Sequence, residues 1–322
     1  MTGHRYLAVP FSFEEQRCSA EELERVVSTR TTATVTRLDD ATIRPERKRT
    51  DRLAYERTGS GEPLVLVHGI GHRRQGWYPV LDRLAEERDV ILVDLPGHGD
   101  SPDLITDGRP VLDIVREQFQ DLFADLNVHR PHIAGNSLGG RVALELASEN
   151  MVRSVTTLAP AGFWRNDLDF TYIRTLFATM TSASEYSQSV APRLARTRAG
   201  RVAMFSWLTA RPASIDPDAA LGDFRGLLRA RPALRTIMGE AVPFDRPIAD
   251  DIPITIAWGT RDQVLRPYQA TRARKAMPAA THVRLDRCGH VPMSDNPELI
   301  ADVILEGSGG VASSLIERTE SA

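Results

Sequence analysis

The pentapeptide at 135–139 is the part of the sequence best suited to chemistry. It reads Gly-Asn-Ser-Leu-Gly, a G-x-S-x-G pattern, and it stands between a short apolar run at 132–134 and a helix-forming stretch at 138–148. A serine on a tight turn from strand to helix has an exposed hydroxyl, and glycines are needed there because larger side chains would collide. This context predicts that Ser137 is a nucleophile. A helix N-cap serine in an ordinary turn is the alternative.

The elements that must position this serine follow a regular rhythm from residue 51 onward. Short apolar runs suit strands that are buried on both faces of a sheet, and the amphipathic stretches between them suit helices that cover those faces. The alternation predicts an α/β fold with a mostly parallel central sheet flanked by helices. The predicted strands are 51–57, 64–67, 90–93, 132–134, 155–158, 252–258 and 282–285, and the predicted helices of this core are 77–87, 111–126, 138–148, 267–276 and 297–305.

The alternation stops near residue 160 and resumes near residue 252. The residues in between are helical in character and rich in arginine, alanine and aromatic side chains. They predict a helical cap inserted between two strands of the sheet. The predicted domains are an N-terminal extension at 1–50, a core at 51–160 and 249–306, the cap at 161–248, and a flexible, Gly- and Ser-rich tail at 307–322.

Three segments together resemble the α/β-hydrolase superfamily, and the resemblance covers roughly residues 51–305. They are the turn at 135–140, His-Gly-Ile-Gly at 68–71 after one strand, and Asp-Leu-Pro-Gly-His-Gly-Asp-Ser at 94–101 after the next. The resemblance implies that Ser137 is the nucleophile and that the backbone N–H groups of Ile70 and Leu138 form an oxyanion hole. Backbone donors suit that task because they are fixed before charge develops on the carbonyl oxygen.

The same resemblance implies the remaining members of a catalytic triad. His290 lies in the Cys-Gly-His-Val-Pro loop before the last predicted helix, and an imidazole can accept and return the serine proton. Asp262 follows a buried strand and would orient that imidazole, in the chain order Ser, Asp, His that such enzymes use. Asp286 and Asp295 are competing carboxylates near the histidine, and as loop residues we expect them to be solvated.

Substrate contacts are predicted mainly in the cap. Phe163 and Trp164 are candidates for an apolar acyl pocket, although cap aromatics could equally pack the cap onto the sheet. Arg73, just after the oxyanion loop, is the candidate for a cationic substrate contact.

The predicted function is hydrolysis of an ester-like acyl bond in a small, largely apolar substrate, through an acyl-enzyme on Ser137. Three alternatives stay open. A carbon–carbon bond hydrolase of the meta-cleavage type shares Asn136 before the serine, but its oxyanion loop is richer in Gly and Pro than residues 68–72. A cofactor-free haloperoxidase or perhydrolase would use the same triad. A ligand-binding protein could also keep a hydrolase scaffold.

Composition limits the other possibilities. The chain is 42% hydrophobic and 26% charged, as globular proteins are, and its net charge of −3 gives no reason to expect nucleic acid as a partner. We find no H-E-x-x-H, C-x-x-C or G-x-G-x-x-G motif, so no metal or cofactor is predicted. The sequence has no apolar run of about 18 residues and no secretory signal, so we expect a cytoplasmic protein without a membrane partner. Cys288 is expected to be a packing residue, and the oligomeric state is not predicted.

Overall fold

The computed structural model describes residues 52–310, and its centre is one seven-stranded sheet. The strands are β1 (Tyr55–Gly59), β2 (Glu62–Val67), β3 (Arg88–Val93), β4 (His132–Asn136), β5 (Ser154–Leu158), β6 (Ile254–Gly259) and β7 (Thr281–Leu285). Their order is β1-β3-β2-β4-β5-β6-β7, with β1 antiparallel to β3 and every other neighbouring pair parallel. The predicted α/β fold with a mostly parallel sheet is confirmed.

Successive residues of the central strands enter two different cores. Leu64 and Leu66 of β2 belong to one buried cluster, whereas Val65 and Val67 belong to the other. None of the four is more than 1% exposed. Parallel strands that helices cover on both sides need apolar residues at every position, and this need produces the continuous apolar runs seen in the sequence.

Helices cover both faces of this sheet. Within residues 52–310 the α-helices are α1 (Tyr78–Ala85), α2 (Val111–Asp125), α3 (Leu138–Ser148), α4 (Asp167–Tyr186), α5 (Ala191–Arg196), α6 (Arg198–Phe205), α7 (Pro217–Arg229), α8 (Arg231–Glu240), α9 (Tyr268–Ala276) and α10 (Pro297–Gly307). Helices α1 and α10 pack with Leu64 on one face, and α2, α3 and α9 pack with Val65 on the other.

The interval that we predict as a cap, 161–248, contains helices α4–α8 between strands β5 and β6. These helices build a small cluster of their own, in which Phe205 and Phe224 are the largest buried side chains. Helix α4 also reaches the sheet, because Ile173 and Phe177 join the core on the Val65 face. The interval 161–248 therefore packs on the core and also keeps a separate apolar centre.

The ends of the described chain differ in detail from the prediction. The first strand begins at Tyr55 rather than at residue 51. Residues 307–310, predicted as the start of a flexible tail, are anchored instead, since Ser308 is only 3% exposed and its carbonyl oxygen accepts a 2.9 Å hydrogen bond from Arg88. A buried guanidinium needs such acceptors. The predicted extension at 1–50 and residues 311–322 lie outside the described residues.

Candidate active site

Ser137 occupies a strained turn between β4 and α3. Its backbone angles, φ 55° and ψ −113°, lie in a region that residues other than glycine rarely adopt. The turn is held by its own backbone, since the Ser137 N–H donates to the Leu158 oxygen at 3.0 Å and the Ser137 oxygen accepts from Arg141 and Ala161, each at 3.0 Å. The strain lifts the serine side chain away from the plane of the sheet.

Two glycines allow the chain to pass through this turn. A Cβ atom on Gly135 would lie 2.2 Å from the Gly139 oxygen, and one on Gly139 would lie 2.0 Å from the Val67 oxygen. Both contacts are with backbone, which has little freedom to retreat. The G-x-S-x-G spacing is therefore a steric requirement of the close approach of α3 to β2 and β4.

His290 and Asp262 form a buried pair beside the serine. The His290 Nδ1 lies 2.8 Å from Asp262 Oδ2, and the two residues are 2% and 3% exposed. The second carboxylate oxygen, Oδ1, accepts the backbone N–H groups of Val264 and Leu265, both at 2.8 Å. With the carboxylate fixed at both oxygens, the imidazole carries its proton on Nδ1 and keeps Nε2 available as a base.

Ser137 and His290 line the same cavity, so the structure brings all three predicted triad members together. Within residues 52–310 the Ser137 hydroxyl makes no hydrogen bond to another residue. Long or open contacts of this kind are usual before substrate binds. Asn136, the residue before the serine, connects this turn to the His290 loop, because its amide donates to the His290 oxygen at 2.8 Å and to the Leu158 oxygen at 2.9 Å.

The two predicted oxyanion donors lie on either side of the serine. Leu138 begins α3, where an N–H group has no partner within the helix. Ile70 lies in the loop after β2, and this loop approaches the serine so closely that a Cβ on Gly69 would be 3.2 Å from the Ser137 Cβ. Ile70 lines both cavities described below, and Leu138 lines the second. The arrangement leaves two backbone donors near Ser137.

His68 fixes the direction of the Ile70 N–H group. Its Nε2 accepts from the Leu95 N–H at 3.1 Å, so its Nδ1 carries the proton and donates to the Gly69 oxygen at 2.8 Å. That oxygen and the Ile70 N–H belong to the same peptide group, so holding one aims the other. Complete burial lowers the pKa of His68 well below its usual range, and the ring stays neutral.

Asp295 contradicts our expectation of a solvated carboxylate. It is 2% exposed and accepts three backbone N–H groups, from Gly289 at 2.7 Å, Ala210 at 3.0 Å and Arg211 at 2.8 Å. Two of these donors belong to the segment after α6 and the third precedes His290. Asp286, the other competitor, is exposed as expected, with its side chain 56% accessible.

Cys288 is buried and its thiol stays protonated near neutral pH. It is 1% exposed, and burial raises the pKa of Cys288 to about 12. A protonated thiol is neither a nucleophile nor a metal ligand, which agrees with a packing role. Among residues 52–310, no three His, Cys, Asp or Glu side chains cluster as metal ligands, and no helix has the length and apolar character to cross a bilayer.

Two cavities meet at the serine. The first, of about 210 Å³, is lined by His290 and by residues of helices α4–α7. The second, of about 190 Å³, contains Leu138 and is closed by cap residues from α4 and α8. Ser137, Ile70 and Phe177 line both. Ser137 therefore lies where the two spaces meet.

The predicted substrate contacts are distributed unevenly around these cavities. Trp164 lines the second cavity. Phe163 lines neither, and it packs against Phe244 with ring centroids 6.3 Å apart. The Arg73 guanidinium turns to the cap and donates from Nε to Asp223 Oδ1 at 3.0 Å. Asp223, which lines the first cavity, was not predicted from the sequence. Its contact is with Arg73, 150 positions away, and no local pattern indicates that contact.

Comparisons with known proteins agree with this fold. An uncharacterised protein of Mycobacterium tuberculosis (strain H37Rv) is 27% identical over 276 residues, which cover 79% of this chain and 77% of that protein. Lipase 3 of Moraxella sp. (strain TA144) is 26% identical over 256 residues, 76% of each chain. A solved serine hydrolase involved in carbazole degradation has the same fold, with a TM-score of 0.62 and 21% identity over 80% of this chain and 94% of that one. The model of the alpha/beta hydrolase family matches residues 64–303, and the chain therefore belongs to that family of hydrolases.

Proposed function

We propose that this protein is a serine hydrolase that cleaves carboxylic esters through an acyl-enzyme on Ser137. The observation that carries the proposal is the 2.8 Å contact between Asp262 and His290, with His290 and Ser137 facing one cavity at the strained turn. Lipase 3 of Moraxella, with 26% identity, supports the ester class.

The proposed reaction has two halves. In the first, His290 Nε2 takes the Ser137 proton as Oγ attacks the ester carbonyl, and the oxyanion is held by the N–H groups of Ile70 and Leu138. The imidazolium then gives its proton to the alcohol oxygen, which leaves. In the second half, water loses a proton to the same imidazole and attacks the acyl-enzyme; the bond to Oγ breaks, the imidazolium returns the proton to Oγ, and the acid is released. Asp262 stabilises the imidazolium in both halves.

Replacement of the serine tests this proposal. We expect Ser137→Ala to lower kcat on p-nitrophenyl butyrate by about 10⁴-fold or more and to abolish labelling by a fluorophosphonate. Ser148→Ala is the matched control, because Ser148 lies at the far end of α3 and its hydroxyl caps the Glu145 oxygen at 2.8 Å. Labelling that survives in Ser137→Ala, or is lost in the control, would contradict the assignment.

The ester is favoured over a carbon–carbon bond for one structural reason. Asn136, the residue shared with meta-cleavage hydrolases, uses its amide group on the oxygens of Leu158 and His290, so it offers no donor to a substrate. An assay that includes a meta-cleavage product beside simple esters separates the two. Ligand-induced thermal stabilisation without turnover of any ester would instead support the binding-protein alternative.

A further inference from the structure

The junction of two cavities at Ser137 bears on which esters fit the site. Only Ile70, Ser137 and Phe177 line both spaces. Phe177 is a buried residue of α4 that, like Ile70, contacts both spaces. An ester has two arms that diverge from its carbonyl carbon, so each arm requires its own direction. We name the two spaces the His290 arm and the Leu138 arm after the residue that distinguishes them.

The path of the proton assigns one arm of the ester to each space. In the proposed reaction the leaving oxygen must receive its proton from His290, so the alcohol part has to lie on the His290 side. The acyl part then extends the other way, past the Leu138 N–H group and into the Leu138 arm. The assignment follows from the residues that line each space.

The Leu138 arm suits a hydrocarbon. It is lined mainly by aliphatic and aromatic side chains, and its two charged residues are already engaged. Arg141 donates to Glu145 at 2.7 Å and to the Val242 oxygen at 2.6 Å, whereas Glu240 accepts the Val111 N–H at 2.8 Å. A charged or strongly polar acyl group would lose its hydration here without gaining a partner.

The His290 arm is also largely apolar, and besides His290 its ionisable residues are His72 and Asp223, which form a polar corner. The His72 Nδ1 donates to the Arg73 oxygen at 3.1 Å, and its Nε2 is 3.7 Å from Asp223 Oδ2. Arg73 occupies Oδ1, and within residues 52–310 no donor bonds to Oδ2. The corner therefore offers the Asp223 Oδ2 as an acceptor on the alcohol side.

We infer that the preferred substrates are esters of an apolar acid with an alcohol that carries a further hydroxyl group, which donates a hydrogen bond to the corner formed by His72 and Asp223. This substrate class rests on the proposed function. An alkyl ester of the same size leaves the Asp223 acceptor without a donor in a partly desolvated corner, and a site built for a hydroxyl discriminates against such an analogue.

Matched esters test the polar corner. Pentyl butyrate and 4-hydroxybutyl butyrate have the same number of heavy atoms and differ by one hydroxyl, and both are followed by acid release at constant pH. For the wild type we expect kcat/KM to favour the hydroxy ester by about tenfold, the size of one hydrogen bond to a charged acceptor. An absence of preference, repeated with shorter and longer ω-hydroxyalkyl butyrates, would overturn the inference.

Variants of the corner separate recognition from a structural tether between the oxyanion loop and the cap. Asp223→Leu removes the acceptor, and we expect the hydroxyl preference to disappear while pentyl butyrate is still hydrolysed. Arg73→Met removes the tether but leaves the carboxylate, so the preference should remain. Asp223→Asn keeps one acceptor and should restore part of it. If Asp223→Leu and Arg73→Met each lowered kcat/KM equally for both esters, Asp223 would act only as a structural tether, and recognition of the substrate hydroxyl would be refuted.

Filling each arm tests the assignment of acyl and alcohol sides. Ile237 lines only the Leu138 arm and Ser184 only the His290 arm, and both are partly exposed cap residues. We expect Ile237→Phe to shift the preferred acyl length of alkyl esters downward without changing the preferred alcohol length. Ser184→Phe should do the reverse. The opposite pattern would overturn the assignment while Ser137-dependent hydrolysis persists, whereas absence of hydrolysis of every ester would refute the proposed function itself.

Discussion

Replacing Asp295 by Asn tests whether this buried carboxylate positions His290, the proposed base. Asp295 accepts N–H groups from Gly289 and Ala210 at one oxygen and from Arg211 at the other. An amide of the same shape can satisfy only one of these positions with oxygen, and it turns an NH₂ group toward the remaining donor. Loss of one charge-assisted hydrogen bond corresponds to about 2 kcal/mol of unfolding free energy. Asp295→Ala leaves all three donors without this acceptor, and we expect a loss of about 3–6 kcal/mol.

The effect on turnover distinguishes positioning from stability. Gly289 precedes His290, so a shifted Gly289 moves the imidazole relative to Ser137, and small displacements of a catalytic group are costly. We expect kcat of Asp295→Asn to fall by about tenfold or more, and KM to change little because Asp295 lines neither cavity. Urea denaturation and saturation kinetics on p-nitrophenyl butyrate measure both quantities.

The control is the other acid near the histidine. The Asp286 side chain is 56% exposed and pairs with Arg284 at the surface. We expect Asp286→Asn to change the unfolding free energy by less than about 0.5 kcal/mol and to leave kcat as in the wild type. If Asp295→Asn behaves like Asp286→Asn in both assays, Asp295 does not position His290.

Two further predictions concern the serine turn and the response to pH. Gly139→Ala should prevent folding, because its Cβ would lie 2.0 Å from the Val67 oxygen, whereas Gly239→Ala in α8 meets nothing within 4 Å and should stabilise by about 0.5–1 kcal/mol; soluble yield and thermal melting measure both. Burial lowers the pKa of His98 from 6.5 to about 4, so between these pH values the unfolded chain binds a proton that the folded chain does not, and stability falls as the pH falls. From pH 7.5 to 5 this group should account for about 2 kcal/mol, which His98→Asn should remove from the pH dependence measured by urea denaturation; an unchanged slope would contradict it.

Local patterns made the sheet and the serine turn predictable. The buried strands are recognisable as continuous apolar runs because helices cover both of their faces. The two glycines around Ser137 are required by contacts within a few residues of the turn or with the adjacent strand. The ends of the helices and strands were harder to predict from the sequence. Residues 307–310 look like a linker in composition, yet Arg88, whose partner Ser308 is 220 positions away, anchors them.

Long-range partners explain what sequence reasoning missed at the site. Asp295 looks like any loop carboxylate, and the donors that bury it, Ala210 and Arg211, are 85 and 84 residues away. Phe163 and Trp164 are adjacent aromatics with the same expectation, but only Trp164 lines a cavity. Direction of a side chain inside an insertion depends on how the insertion packs, and a local pattern does not contain that information.

Residues 208–211 and the loop that carries His290 are joined by several contacts, so a change in one of these segments also affects the other. The Leu208 oxygen accepts the Val291 N–H at 2.9 Å, and Asp295 joins Ala210 to Gly289. A Cβ on Gly289 would lie 2.8 Å from the Leu208 oxygen, so the two backbones touch. Leu208 also lines the His290 arm. A change in the cap that reshapes this arm therefore also moves the loop that carries the imidazole, which means that specificity variants near residue 208 should alter kcat as well as KM.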